Sequence, residues 1–313
     1  MQPNSENTDL SVMAEHKEMT FLEHLDELRK HLMRSVIIVV AFMFVAFAFT
    51  EFIFEQILFG PAKAKFWTYE KMCELGNWMG VKGLCVGVDL KLVNFSITGQ
   101  FMTHLTSSII LGLVMAFPYI VWEVWRFVRP ALYDKEIKAA KGIIFYIVLL
   151  FAAGILFGYF IITPISINFL ATYKITPSIN PDNQFDLHSY ISMVSWLTLI
   201  SALMFQLPIV AYFLAKAGII SASFMRSYRR HSIVAILIVS AIITPSADLF
   251  SQLIVALPLY ILYEMSIFIV AYTQRKEAKL EAIAKKEEEI PVKIIIKEPP
   301  RLDQMTDDDD DLG

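Results

Sequence analysis

Long apolar runs are the feature that most restricts what this chain can fold into. A helix that crosses a bilayer needs about 20 mostly apolar residues. Four stretches meet that length, at about residues 33–53, 104–125, 142–164 and 190–214. Charged residues make up only 19% of the chain, below the quarter that is usual in soluble domains. The sequence therefore predicts an all-α, polytopic membrane protein, with a membrane domain over residues 20–274.

A further apolar region, 231–272, is interrupted by the segment TPSAD. We interpret it as two spans, 231–244 and 249–272, joined by a tight turn, and the first of these is shorter than a bilayer is thick. This gives six spans. The alternative is one span with a re-entrant piece, which leaves five crossings. Every span after the first contains or ends at a proline, so a bent, kinked bundle is predicted.

Lys and Arg residues indicate the orientation of the spans. They cluster before the first span, between the second and third, and between the fourth and fifth, whereas the opposite loops carry few. The exception is the long loop 60–100, whose five lysines are diluted by Glu70, Glu74 and Asp89. The positive-inside rule then places both termini in the cytoplasm of a multi-pass protein of the cytoplasmic (inner) membrane. Residues 1–19 lack the apolar segment of a cleavable signal peptide, and both they and the charged tail 275–313 are predicted to be disordered.

The long loop 60–100, predicted to lie outside the cytoplasm, contains both cysteines of the chain, Cys73 and Cys85. In an oxidising compartment this pair predicts a disulfide, to which the chain-entropy model assigns about 3 kcal/mol. Two free thiols are the alternative. The loop itself is interpreted either as a cap on the bundle or as a partner contact.

The segment TFLEHLDELRKHLMRS, residues 20–35, has the period of an amphipathic helix. We expect it to lie at the membrane interface before the first span. Its polar face carries three carboxylates. Glu23 has capping-box spacing from Thr20, and Asp26 lies four residues before Lys30. Glu27 has only His31 at i+4, so it is the acid predicted to meet another chain.

Polar residues at membrane depth are costly and are therefore candidates for function. Glu123, between Trp122 and Trp125, either snorkels at the aromatic belt or has a functional role. Glu264 lies deeper in its span and requires an internal partner or water. Gln206 is a residue of the type that often forms hydrogen bonds between membrane helices.

The chain carries no nucleophile, nucleotide-binding or metal-ligand motif. Its six His are scattered without a pattern of metal ligands. We therefore predict that the protein is not an enzyme and that it has no cofactor.

Four motifs occur in an order that is informative: FLEHLDELRKHLMRS, FGPA, VWRFVRPALYDKE and ITPSADLFSQLIVALPLYILYE. Over about residues 18–272 the chain resembles the TatC family, the polytopic component of the twin-arginine protein translocase. The resemblance implies a receptor for Arg-Arg signal peptides that exports folded proteins, driven by the proton-motive force. It also implies single-span TatA-type and TatB-type partners and self-association in a multimeric complex.

The resemblance also implies site residues at the matching positions. Those for signal-peptide binding are Glu27, Arg29, Phe127, Pro130, Leu132, Tyr133 and Glu136. Those for translocation or partner-helix contact are Pro61, Gln206, Asp248 and Gln252. The family often has Glu where this chain has Gln206, so a hydrogen-bonding role is expected there rather than a proton relay.

The chemistry of arginine recognition agrees with this assignment. A guanidinium forms bidentate, charge-assisted bonds with a carboxylate, so Glu27 and Glu136 would each take one arginine. The predicted docking face for a partner helix is formed by the short fifth span and the sixth span, because a short span thins the bilayer locally. The competing hypotheses are a six-span transporter of ions or small molecules, which would concentrate charge at the midplane, and a scaffold without a ligand.

Overall fold

The structure is a computed structural model that describes residues 21–80, 90–128, 134–173, 184–244 and 249–289. Within these residues the backbone is mostly helical. The α-helices are α1 (Phe21–Ala48), α2 (Thr50–Phe52), α3 (Trp67–Met79), α4 (Gly99–Val128), α5 (Asp134–Phe157), α6 (Thr163–Thr172), α7 (Leu187–Met204), α8 (Leu207–Lys216), α9 (Ala222–Ser227), α10 (Arg229–Ile243) and α11 (Leu249–Glu289). Two π-helical segments, Ile53–Leu58 and Gly158–Ile162, extend the runs that contain them.

Five helical runs in the described residues are long and apolar enough to cross a membrane: Leu25–Ala48, Gly99–Phe127, Gly142–Thr172, Leu187–Lys216 and Gln252–Ile283. This confirms the predicted class of an all-helical polytopic protein. The predicted short fifth span corresponds to α10, which has 15 residues. At about 1.5 Å per residue it is roughly 22 Å long, less than the hydrocarbon core of a bilayer. Six spans and cytoplasmic termini stay predictions.

The amphipathic segment and the first span form one helix. α1 runs without a break for 28 residues, about 42 Å at the usual rise per residue. The sequence predicted a separate interfacial helix, but both parts share the helical period, and no Gly or Pro lies between them. The turn that carries Glu27 is therefore a direct extension of a membrane span.

The chain divides into two units, and the larger one contains residues 1–207 and 231–262. In it α1 and α4 pack side by side, with His31 against Glu123 and Phe47 against His104. Between these contacts, a Cβ on Gly112 would lie 2.7 Å from the backbone nitrogen of Met43. Residue numbers rise along one helix as they fall along the other, so the pair is antiparallel.

The same unit packs α5 closely on α7. A Cβ on Gly154 would lie 2.6 Å from the Cα of Ala202, and one on Gly158 would lie 2.9 Å from the Cα of Thr198. Two clusters of buried side chains form the core on either side of this contact. Their most buried members are Ile167, Ile191, Val194 and Val255, each 1% exposed.

Short irregular segments connect these helices at the end of the unit that carries α3. β1 (Leu92–Val93) pairs in parallel with β2 (Phe185–Asp186). Asp186 then caps α7, because its carboxylate accepts hydrogen bonds from the backbone N–H and the hydroxyl of Ser189, both at 2.9 Å. These bonds hold the pKa of Asp186 below its usual value.

The segment after α2 contains the predicted contact residue Pro61. Pro61 is buried, and its carbonyl accepts a hydrogen bond of 2.9 Å from the Tyr69 hydroxyl of α3. Burial raises the pKa of Tyr69 above its usual value. α3 ends at Gly80, whose φ of 73° lies in the left-handed region that favours glycine. Cys73 in α3 is disulfide-bonded, whereas Cys85 lies outside the described residues, so the pairing of the two stays a prediction.

The second unit contains residues 208–230 and 263–313. Here Arg229 forms an ion pair of 2.6 Å with Glu264, which confirms that this acid has an internal partner. Helix α11 continues to Glu289, where a disordered tail was predicted from residue 275. Residues 275–289 are rich in Lys, Glu and Ala, which favour a helix once one is started. Residues 290–313 and 1–20 lie outside the described residues.

Candidate functional site

The first part of the site is the outer turn of α1. Asp26 and Lys30 form an ion pair of 3.0 Å, as their i,i+4 spacing predicted. Glu27 is half-buried, and within the described residues it makes no ion pair and no hydrogen bond. Arg29, two residues on, is exposed. The turn therefore presents one carboxylate that has no local partner.

One turn further along α1, His31 contacts α4 instead of Glu27. Its Nδ1 hydrogen-bonds to the carboxylate of Glu123. The Glu123 carboxylate also accepts a hydrogen bond of 2.7 Å from the Tyr119 hydroxyl, and its side chain is 1% exposed. Snorkelling of Glu123 to the aromatic belt is therefore wrong; the carboxylate points inward and is satisfied by two side chains.

The end of α4 meets the same histidine. The ring of Phe127, one of the predicted signal-peptide residues, lies edge-on to the His31 ring with 6.0 Å between centroids. Beside it, the Arg126 guanidinium lies 5.8 Å from the ring centroid of Trp122. His31 thus joins the turn that carries Glu27 to the turn that carries Phe127.

The rest of the predicted signal-peptide site follows α4. Pro130, Leu132 and Tyr133 lie outside the described residues. Glu136 belongs to the first turn of α5, and its side chain is also outside them. Residues 129–133 connect the two helices, and the six steps from Val128 to Asp134 can span at most about 22 Å. The start of α5 therefore lies within that distance of the end of α4.

The predicted partner-contact residues lie elsewhere. Gln206 lies at the break between α7 and α8, where its Nε2 donates to the Ile147 carbonyl at 3.2 Å. Its Oε1 is buried and has no hydrogen bond within the described residues. Gln252 donates to the Leu237 carbonyl at 2.9 Å, which joins α11 to α10. Asp248 lies outside the described residues.

An apolar groove runs along α10 and α11, with a volume of about 450 Å³. It is lined by Ile233, Ile236, Leu237, Leu253, Ala256, Leu257 and Tyr260. Gln252 precedes Leu253 in the sequence and donates a hydrogen bond to the Leu237 carbonyl, and both leucines line the groove. Neither glutamine contacts the Glu27 turn, so the predicted residues form separate sites rather than one.

Sequence reasoning did not place His31, Tyr119 and Glu123 in the site. A carboxylate at membrane depth requires a partner, and that was the available signal. The aromatic residues on either side of Glu123 offered an equally simple local explanation. The actual partner is 92 residues away in sequence, so no local pattern identifies it.

Comparison with known proteins decides the family. A family model described as "Sec-independent protein translocase protein (TatC)" matches residues 23–258. The chain belongs to the TatC family. It is therefore a membrane component of the twin-arginine, Sec-independent protein translocase, and its role is in protein transport. The alternative of a small-molecule or ion transporter is not favoured.

Individual relatives agree with this assignment. The TatC protein of Blattabacterium sp. subsp. Periplaneta americana (strain BPLAN) is 41% identical over 266 residues, which cover 84% of this chain and 99% of that protein. TatC of Carboxydothermus hydrogenoformans is 36% identical over 266 residues. That match covers 84% of this chain and 97% of that protein.

Solved structures of TatC have the same fold. A crystal structure described as the twin arginine translocase receptor TatC in DDM is 33% identical, with a TM-score of 0.61. The match covers 79% of this chain and 99% of that one. A second crystal structure of the TatC receptor gives a TM-score of 0.59 at 32% identity.

Proposed function

We propose that this chain is the receptor that binds twin-arginine signal peptides at the Glu27 end of α1, and the scaffold on which folded proteins cross the cytoplasmic membrane. The observation that carries the proposal is the Glu27 carboxylate, half-buried and without a hydrogen-bond or ion-pair partner in the described residues, one turn before His31, whose ring contacts Phe127. A carboxylate in that state favours a cationic ligand, and arginine satisfies both of its oxygens at once.

The second arginine requires a second acceptor. Glu136 is the candidate, because the short connection keeps the first turn of α5 near the end of α4. The two acids then come from separate elements, which makes the site selective for a pair of arginines over a single one. Phe127 supplies an apolar surface beside them for the hydrophobic part of the signal peptide, and Arg29 adds positive charge that disfavours unrelated basic segments.

Transport itself needs additional subunits. The apolar groove along α10 and α11 is the docking surface that we assign to a single-span TatA-type or TatB-type partner. Three features support it: the groove is apolar, α10 is too short to fill the bilayer, and Gln252 lies beside it. The proton-motive force drives export, and several copies of the receptor assemble together.

Export of a folded reporter tests the receptor function. The chain, expressed with its partner subunits in a strain that lacks its TatC, is expected to restore export of a folded protein with an Arg-Arg signal. A reporter with a Lys-Lys signal is the control and is expected to stay in the cytoplasm. Failure of the wild-type chain to export the Arg-Arg reporter, with the chain present in the membrane, would contradict the proposal.

Site-specific photo-crosslinking tests the partner surface. A photoreactive residue at Leu257, which lines the groove and is 62% exposed, is expected to form an adduct with the single-span partner. The matched control is Phe44 of α1, which is 63% exposed and does not line the groove. Equal adducts at both positions would show random contact in the membrane and would contradict the assignment.

A further inference from the structure

Two polar contacts hold the run of α1 and α2 against α4, one near each end of the packed pair. The first is the His31–Glu123 clamp, in which Tyr119 also donates to the carboxylate. The second is the Thr50–His104 clamp, where the Thr50 hydroxyl lies 2.7 Å from Nε2 of His104. There the His104 ring also stacks on Phe47, with centroids 3.8 Å apart. Both clamps join the same two chain regions, but only the first is next to Glu27.

We propose that His31 and Glu123 are positioning residues for twin-arginine recognition, and that their bond sets the spacing between Glu27 on α1 and Phe127 on α4. This inference rests on the receptor function proposed above. It concerns residues that do not themselves touch the signal peptide. Glu123 is 1% exposed, and its carboxylate already accepts from His31 and Tyr119, so it is not free to take an arginine.

The register of the two helices places the His31–Glu123 clamp one helical turn from Glu27 and Phe127. α1 and α4 are antiparallel. The step from His31 to Glu27, toward the start of α1, therefore runs in the same direction in space as the step from Glu123 to Phe127, toward the end of α4. Each step is four residues, about 6 Å along a helix. Glu27 and Phe127 therefore lie at the same level, one turn beyond the His31–Glu123 bond. The edge contact of His31 with Phe127 adds a direct link at that level.

The burial of the clamp makes it suitable for positioning. A hydrogen bond to a buried carboxylate is stronger and more directional than one in water, so the two turns have little freedom to separate. Recognition of an arginine pair depends on this, because the two acceptors must keep a fixed distance to meet two arginines of one peptide. A receptor with a loosened clamp would retain its acids but lose their mutual geometry.

The test is peptide binding to the full-length chain in lipid nanodiscs. The probe is a fluorescent peptide with an Arg-Arg pair followed by an apolar segment, and the matched peptide carries Lys-Lys. His31→Ala is expected to weaken Arg-Arg binding about 10-fold, equivalent to about 1.4 kcal/mol, and to reduce the preference over Lys-Lys. Thr50→Val, which removes the Thr50–His104 hydrogen bond but leaves His104 against Phe47, is expected to lower thermal stability while binding stays at the wild-type level.

Conservative variants separate positioning from direct contact. Glu123→Gln keeps the side-chain shape and one acceptor oxygen but loses the charge and the second acceptor, so binding is expected to fall by about 3-fold, less than in His31→Ala. Exchange of the two residues, His31→Glu with Glu123→His, is expected to restore part of the binding lost in His31→Ala. The exchange tests the same bond even if His31→Ala does not fold.

The outcomes are distinct. Full binding by His31→Ala, or equal loss in His31→Ala and Thr50→Val, would overturn the positioning role. A loss in Glu123→Gln larger than that in His31→Ala would show that Glu123 acts independently of its bond to His31 and would also overturn it. If the wild-type chain itself binds neither peptide, the receptor function fails instead.

Discussion

Glu27→Gln is expected to weaken binding of an Arg-Arg signal peptide about 10-fold to 100-fold, because a hydrogen bond to a charged group contributes about 1.5–3 kcal/mol. The amide has the shape of the acid but no charge, and its NH₂ group repels a guanidinium. The change removes no hydrogen bond or ion pair within the described residues and keeps the side-chain shape, so folding is expected to be unaffected. Export of an Arg-Arg reporter should fall in parallel with binding in nanodiscs.

The matched control is Asp26→Asn in the same turn. Asp26 is an exposed acid, 60% accessible, and its ion pair with Lys30 is a surface pair of the kind that contributes little. Binding by Asp26→Asn is expected to remain at the wild-type level, whereas Glu136→Gln is expected to resemble Glu27→Gln. If Asp26→Asn weakens binding as much as Glu27→Gln, the site responds to general negative charge and the specific assignment of Glu27 is wrong.

Gly112→Val is expected to destabilise the protein by about 1–3 kcal/mol or more, the usual result of overpacking a tight contact. Even a Cβ at Gly112 would lie 2.7 Å from the nitrogen and 2.8 Å from the Cα of Met43, and backbone atoms cannot move aside as a side chain can. α1 and α4 must then separate. The melting temperature of the purified protein should fall, and signal-peptide binding should fall with it.

Gly142→Val in α5 is the control for this change. A Cβ at Gly142 has no atom within 4 Å among those described, so the added side chain meets open space. The residue is exposed and helical. Its substitution is expected to leave the melting temperature nearly unchanged. An equal loss for both variants would show that valine itself, rather than the α1–α4 contact, is responsible.

Apolar run length and helical period were sufficient to predict the membrane-length helices and the Asp26–Lys30 pair, but not α3 or the extension of α11. Apolar run length identified the five membrane-length helices, and i,i+4 spacing identified the bond between Asp26 and Lys30. The requirement that a charge at membrane depth be compensated correctly predicted a partner for Glu264. Each of these follows from segment length, helical period or the cost of burying charge.

The non-local contacts could not be predicted in this way. His31 meets Glu123 only because two helices distant in sequence pack antiparallel with a particular register. No property of either helix alone determines that register. It is decided by tight contacts such as Gly112 against Met43, which depend on tertiary packing rather than on local pattern. For the same reason the sequence identified Glu27 as an acid without a local partner, but not the residues that hold it in place.

The pairing of β1 with β2 has a consequence for how the protein assembles. Leu92 follows the first membrane helix, but its strand partner Phe185 follows α5 and α6. The ladder cannot form until the ribosome has made Phe185 and the intervening helices have entered the bilayer. During synthesis the first loop therefore stays unpaired while two further membrane segments are inserted. Closure of this end of the protein is a late event of biogenesis, after much of the helical bundle is in place.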